Sequence, residues 1–360
     1  MRIALAYNAK PPDRAEIRSA RPEFLVEEEE EPPSTTGVGS DDDAYAEWDD
    51  AETILAVADA LATRHLVVLV EAREDFPARI RKAKPDLVFN MAEGLHGASR
   101  EAQVPAVLEM LGIAYTGSDP LALALCLDKA RAKEILSYRG VPNAPFHVVE
   151  RPADWSGASS LRYPLLVKPL FEGSSKGIRD DQLVRAPEAL QDRILRVLRL
   201  YRQPALVEEF LPGREFTVAL LGNPPELRVL PPIEIRHDTL PPGANPIYSW
   251  EAKWVWDRPE APLQIFECPA RLSPEELRAI EGLCVRTAEV LRLRDWARID
   301  VRLDAQGVPN ILEVNPLPGI LPDPKANSCF PKAARAVGMN YQTMVLAVVD
   351  AARQRLGWSA

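Results

Sequence analysis

The first 117 residues alternate short, continuously apolar runs with segments of helical spacing, and that alternation constrains the fold more than any other feature. Arg2 to Asn8 (RIALAYN), His65 to Val70 (HLVVLV) and Asp86 to Met91 (DLVFNM) are short and uniformly apolar, so they read as strands buried on both faces. Between them, Ala51 to Ala62 places Ile54, Leu55, Val57, Ala58 and Leu61 on one helical stripe. Phe76 to Ala83 fits a short helix stopped by Pro85, and Glu101 to Leu111 a third, amphipathic one. Strand and helix in turn imply βαβ units and a parallel sheet. A domain boundary is expected near Ser118, giving a first α/β domain over 1–117.

A different texture follows. Asp128 to Tyr138 reads as a Lys- and Arg-rich helix ending at Gly140, and Pro187 to Leu200 as another. Ala144 to Val149 and Tyr163 to Lys168 read as strands. From Pro204 an antiparallel set is expected over Ala205 to Phe210, Glu215 to Leu221 and Leu227 to Ile235. The domains are therefore placed at 118–203 and 204–360. Residues 236–272 carry many Pro and Trp but little periodicity; a loop this long inside a domain is usually functional, so a lid is expected there. Trp250, Trp254 and Trp256 are compatible with such a lid or with plain core anchoring. Ser273 and Glu276 form a capping box for a helix to about Leu291. Ala297 to Leu303 and Asn310 to Val314 pair as a hairpin around Ala305-Gln306-Gly307, and a last helix runs from Tyr341 to Leu356.

Charge is concentrated at one end. Of the formal net charge of −10, residues 1–50 contribute −9, from 14 acidic and 5 basic side chains. Glu27 to Glu31 and Asp41 to Asp43 hold most of it, so a mobile acidic insertion is expected over about 10–46. The remaining body is nearly neutral. With a pI near 5.2 it lacks the basic surface that nucleic-acid binding needs. No apolar run reaches the roughly 20 residues of a membrane span, and MRIALAYN does not read as a signal peptide. Cys126, Cys268, Cys284 and Cys329 are far apart, which fits reduced thiols and a cytoplasmic location.

Three motifs carry chemistry. Val167-Lys168-Pro169 followed by Glu172-Gly-Ser174-Ser175-Lys176-Gly177 suits phosphate binding: the small residues expose backbone N–H groups and lysine adds charge. A polar surface turn is the competing reading. Arg298-Ile-Asp300 and Glu313-Val-Asn315 lie on paired strands, where positions two apart share a face. Two carboxylates and an amide on one face are hard oxygen donors suited to Mg²⁺. Glu208-Glu209-Phe210-Leu211, with Glu215 beyond, fits an adenine and a ribose; alone it fits an exposed hairpin as well.

In this order the motifs resemble those of ATP-grasp carboxylate–amine ligases, most closely the D-alanine–D-alanine ligase family. Glu109-Met-Leu-Gly-Ile-Ala-Tyr115-Thr-Gly-Ser118, Leu127-Asp128-Lys129, Glu251-Ala-Lys253 and Ala333 to Met339 agree, so the resemblance spans roughly 86–355. It implies an ATP-grasp fold behind the N-terminal parallel sheet. It implies that Lys129 and Lys168 contact ATP phosphates and that Ser175 lies in the closing loop. Glu208 would take the adenine amino group, Glu209 and Leu211 would meet adenine by backbone, Phe210 would flank it, and Glu215 would hold the ribose. Lys253 would reach the terminal phosphate from the lid. Asp300, Glu313 and Asn315 would ligate two Mg²⁺, with Mn²⁺ as a substitute. Arg298 and the Gly319 N–H would stabilise the oxyanion. Ser328 would bind the second substrate's carboxylate.

Departures from the family cluster at the amino-acid pocket. Asn8-Ala-Lys-Pro-Pro-Asp13-Arg14 replaces a Gly-Gly turn and its glutamate, with Asp13 a weak stand-in. Trp254 replaces a lid tyrosine that works with Ser174. Glu93-Gly-Leu-His96-Gly differs from the family's His-Gly turn, and the Gly319-to-Ser328 interval is four residues longer. A lone His in such a turn is more often structural, although here it would face the cleft. The resemblance thus implies joining of amino acids, D-alanine first, in a protein that is often a homodimer. A ligase for other amino acids and a non-catalytic nucleotide-binding protein are the rival readings.

Overall fold

The computed structural model describes residues 1–25, 45–258 and 261–358. The acidic blocks at 27–31 and 41–43 lie outside these residues. The first sheet is built from β1 (Arg2–Tyr7), α1 (Arg14–Ala20), α2 (Ala51–Ala62), β2 (Leu66–Glu71), α3 (Phe76–Ala83), β3 (Leu87–Asn90), α4 (Gln103–Leu111) and β4 (Ala114–Tyr115). Its strand order is β2-β1-β3-β4, all parallel, as the alternation of elements implied. Asp50 starts α2 by accepting a hydrogen bond from the Thr53 N–H. The expected insertion is narrower than 10–46: residues 11–25 fold as short helical turns and α1, because Ile17 gives that stretch an apolar anchor against α2.

The second sheet follows α5 (Pro120–Leu127) and α6 (Lys129–Tyr138). It contains β5 (Phe146–Val149), β6 (Leu165–Pro169), β7 (Leu183–Val184) and, after α7 (Pro187–Leu200), β8 (Ala205–Glu209). The order is β5-β8-β6-β7, antiparallel. Ala205 to Glu209, expected with the strands after it, pairs instead with β5 and β6. The change of sheet therefore falls in the turn before Glu215 rather than at 203. Helix α5 escaped periodicity because PLALALCL is apolar on every side; its start is marked by Asp119, which caps the Ala122 N–H, and by Pro120 at the first helical position.

The third sheet holds β9 (Glu215–Leu221), β10 (Arg228–Val229), β11 (Ile233–Ile235), β12 (Phe266–Glu267) and, after α8 (Pro274–Leu291), β13 (Trp296–Leu303) and β14 (Pro309–Asn315). Helices α9 (Cys329–Ala336) and α10 (Tyr341–Arg355) close the chain. The order is β12-β11-β9-β13-β14, with β10 also on β9. The single strand expected over 227–235 is two, since Pro231 and Pro232 lack the N–H groups a ladder needs. Trp296, 2% exposed, joins the first and third sheets by packing edge-on against Phe89 and Phe330. No helix among the described residues is long and apolar enough to cross a membrane.

Candidate active site

Two cavities open between the sheets and share four residues: Ser174, Lys253, Arg298 and Glu313. The larger, about 980 Å³ of empty space, lies between the second and third sheets. Lys168 on β6 and Glu208 on β8 face it from adjacent strands. Lys168 Nζ is 2.5 Å from Glu208 Oε1, and Lys133 Nζ from α6 is 3.0 Å from Oε2. Burial alone would raise the Glu208 carboxyl; Lys133 and Lys168 outweigh it and hold it down at about 2. Glu208 is thus an acceptor-only group, suited to an exocyclic amine. Lys133 is the partner that sequence reading missed, although it sits one helical turn after Lys129. Lys133→Met is expected to raise the KM for ATP about tenfold, with kcat little changed, because Glu208 keeps only one of its two cations; steady-state ADP release reads this directly.

The other residues expected to meet the nucleotide are engaged by neighbours. Glu215 accepts from Arg302 at 2.6 Å and lies 3.0 Å from His237 Nε2. The Arg302 guanidinium also stacks on Phe210, 4.3 Å from the ring centre. Leu211 and Glu209 line the cavity, with the Glu209 side chain held by Arg162 at 2.8 Å. The loop expected to meet phosphates packs on the 236–272 segment. Ser175 Oγ donates to the Tyr248 carbonyl at 2.9 Å, and Trp254 Nε1 donates to the Ser174 carbonyl at 3.2 Å. Ser174 and Ser175 both hold positive φ, a backbone shape that turns their N–H groups the same way.

Two of the four shared residues, Arg298 and Glu313, come from β13 and β14. Arg298 is register partner of Asn315, and Asp300 of Glu313, with a bulge directly after Asp300 that re-aims this face. Asp300 is 3.0 Å from Arg298 and accepts from Asn315 Nδ2 at 3.3 Å. Burial raises the Asp300 carboxyl, eased by Arg298 and reinforced by Glu313. Burial would raise Glu313 too, but Lys129, at 2.9 Å, and Lys168 hold it low. A cation between Asp300 and Glu313 would relieve their mutual repulsion, and with the Asn315 amide the donors are all hard oxygens. The set therefore fits Mg²⁺ by donor type.

The second cavity lies against the first sheet. Asp13, the weak stand-in for the family's glutamate, lines neither cavity, whereas Glu47 lines this one. Its carboxylate accepts from the Gly173 N–H at 2.6 Å and from Arg100 Nη2 at 2.6 and 2.7 Å. A Cβ at Gly173 would sit 2.8 Å from Glu47 Oε1, so glycine permits this approach. Asp49, Glu93 and Glu101 line the same space. The sequence signal available for Glu47, Asp49 and Arg100 was weak: two lie at the far edge of an acidic stretch, the third in an irregular turn.

Of the expected site residues, Glu93, Lys129, Lys168, Ser174, Ser175, Glu208 to Leu211, Glu215, Lys253, Arg298, Asp300, Glu313, Asn315 and Gly319 line one cavity or the other. Two do not. His96 is exposed in the turn after β3, with its carbonyl taken by Gln103. Ser328 is buried in the lengthened loop. Its hydroxyl donates to the Gly319 carbonyl at 3.3 Å and accepts from the Leu321 N–H at 3.0 Å, so it braces that loop.

A parallel N-terminal sheet and two antiparallel sheets clasping a lysine- and carboxylate-lined cleft define an ATP-grasp fold. A solved D-alanine–D-alanine ligase from Bacillus anthracis, crystallised with ATP, superposes with a TM-score of 0.70 over 99% of this chain and 98% of its own, at 20% identity. The family described as "D-ala D-ala ligase C-terminus" matches residues 135–350. A D-alanine–D-alanine ligase of Pelotomaculum thermopropionicum is 34% identical over 84% of this chain and 91% of its own length. An uncharacterised protein of Sinorhizobium fredii is 38% identical over 75% of each. The chain belongs to the D-alanine–D-alanine ligase family.

Proposed function

We propose that this chain is an ATP-dependent ligase that joins an amino-acid carboxylate to an amine through an acyl phosphate, with D-alanine as the reference substrate. The observation carrying this reading is that the nucleotide cleft and the acid-lined chamber meet at Ser174, Lys253, Arg298 and Glu313. A substrate carboxylate in the chamber attacks the γ-phosphorus of ATP in the cleft, and ADP leaves. The amine of the second substrate attacks the acyl carbon, loses a proton, and expels phosphate. Lys129, Lys168 and Lys253 bind the phosphates; Arg298 and the Gly319 N–H meet the oxyanion. Asp300, Glu313 and Asn315 would hold Mg²⁺, which neutralises charge on the β- and γ-phosphates. The domains proposed are the N-terminal chamber wall, the second sheet as nucleotide roof and the third as floor.

ADP release measured with a panel of D- and L-amino acids tests the reading. Turnover with D-alanine supports it, turnover restricted to L-amino acids favours a biosynthetic ligase, and no turnover with any amino acid removes the ligase reading.

Lys253 adds a pH prediction. Burial, and then the Arg298 charge, bring its ammonium down to about 8. A lysine so lowered loses its charge as pH rises through 8, so kcat/KM for ATP is expected to fall above about pH 8. Bound phosphate raises the same group, so kcat stays flat to higher pH. Lys253→Arg should move the kcat/KM inflection out of the measured range.

A further inference from the structure

Phe171, Glu172 and Gly173 lie just past β6 and lead into Ser174 and Ser175. Their polar groups are tied one after another. The Phe171 N–H donates to Gln203 Oε1 at 2.7 Å, and the Phe171 carbonyl accepts from Arg100 Nη1 at 2.8 Å. The Glu172 carboxylate accepts from Gln203 Nε2 at 2.7 Å and pairs with Lys176 at 3.1 Å and Arg100 at 3.4 Å. The Gly173 N–H goes to Glu47, whose carboxylate Arg100 holds through both oxygens. Arg100 therefore reaches this segment at a carbonyl, at a carboxylate and, through Glu47, at the N–H that precedes Ser174.

Arg100 and Glu47 belong to the first domain, so the segment is held from across the domain boundary. Arg100 sits in the turn after β3 and is 9% exposed. That turn is itself fixed. The Gly94 N–H donates to Asn8 Oδ1 at 2.8 Å, and a Cβ at Gly94 would lie 2.1 Å from the Arg100 carbonyl, so glycine lets the turn close this tightly. Burial would raise the Glu47 carboxyl, but Arg100 and then Lys176 hold it low, so it stays an acceptor for Gly173. A planar guanidinium that meets a carboxylate and a carbonyl together fixes direction as well as distance, which a lysine ammonium does not. Arg100 lines neither cavity, whereas Ser174 lines both. A shift of the segment would therefore move the wall where the two cavities meet.

We propose that Arg100 is a positioning residue for the phosphoryl transfer: from the first domain it sets Phe171 to Gly173 and thereby seats the Ser174–Ser175 turn between the two cavities. This rests on the ligase reading above and adds a residue to the same site.

The test combines steady-state ADP release with native-state trypsin digestion of the full chain, for Arg100→Met and Arg100→Lys. Arg100→Met is expected to lower kcat about a hundredfold, the scale of a misplacement near 1 Å. The KM for ATP should stay within about threefold of the parent, because uniform nucleotide binding by Lys168, Glu208 and Glu215 is untouched. Arg100→Lys keeps the charge without the fork and should recover part of kcat, to about tenfold below the parent. Lys176, at 6% exposure, is expected to resist trypsin in the parent and to be cut faster in both variants, with other sites cut at the parent's rate. Should Arg100→Met fail to fold, Arg100→Lys carries both measurements. A kcat within about threefold of the parent in each folded variant overturns the inference, as does a raised KM with kcat unchanged. No turnover with any amino acid overturns the ligase reading, and digestion then decides this one. Faster cleavage confined to Lys176 supports the seating of the turn by Arg100; unchanged cleavage there, or faster cleavage at every site, rejects it.

Discussion

Glu313→Gln is expected to lower kcat by about a thousandfold, the scale of losing one preorganised group that faces transition-state charge. Three features of this side chain make the effect large. It lines both cavities, so it lies where the proposed phosphoryl transfer would take place. It is the register partner of Asp300, so the two carboxylates form one oxygen set on one strand pair. It accepts from Lys129, which is 3% exposed and therefore depends on that partner. Glutamine keeps the shape and one acceptor for Lys129 but removes the charge a divalent cation needs. The protein should fold, with unchanged far-ultraviolet circular dichroism, while Mn²⁺ binding followed by electron paramagnetic resonance weakens in step with activity. Activity within tenfold of the parent would show that the metal lies elsewhere. Glu313→Ala is a poorer probe, because it leaves Lys129 buried without its ion pair and mixes catalysis with stability.

The parallel sheet, the hairpin of β13 and β14, and the capping box of α8 were legible because each rests on local signals: apolar runs, a Gly-containing turn, and a Ser-Glu spacing. The placement of Lys168 and of the hairpin residues in one cleft was legible for the same reason, since strand alternation alone puts Arg298 and Asp300 on one face. Long-range choices were not. Nothing in Ala205 to Glu209 says whether it pairs with β6 or β9; the register to Lys168 and Val167 is set by the fold. Glu47 looked like one more acid of a solvated stretch, yet a contact 126 residues away, to the Gly173 N–H, makes it part of the site. The converse holds for Ser328. The family resemblance assigned it the second substrate's carboxylate, but its hydroxyl bonds to Gly319 and Leu321 within the longer loop. Lys133 was unread because a lysine on a Lys- and Arg-rich helix looks solvated; only the packing of α6 on the second sheet puts it at 2% exposure beside Glu208.

Asp295→Ala is expected to cost about 3–5 kcal/mol, the scale of leaving one half of a buried ion pair without its partner. Asp295 is 0% exposed and lies just before β13. One oxygen accepts from Arg355 Nε at 2.9 Å and Asn223 Nδ2 at 2.8 Å. The other accepts from Arg355 Nη2 at 2.9 Å and the Gly117 N–H at 2.8 Å. One carboxylate therefore ties the end of the first domain, the turn after β9 and the last helix to the strand that carries Arg298 and Asp300. Its backbone adds a second constraint: φ is +65°, where Asn and Asp are tolerated better than Ala. Alanine loses four hydrogen bonds, strands the Arg355 guanidinium and strains the turn. Asparagine keeps the turn and part of the network, so Asp295→Asn should lie well below the alanine cost, near 1–3 kcal/mol for the charge-assisted bonds lost. Urea denaturation of both variants, followed by intrinsic tryptophan fluorescence, separates the contributions. An alanine midpoint equal to the asparagine midpoint would show that the backbone conformation adds nothing. Stability equal to the parent in both would show that the first domain is held by the Trp296, Phe89 and Phe330 contact instead.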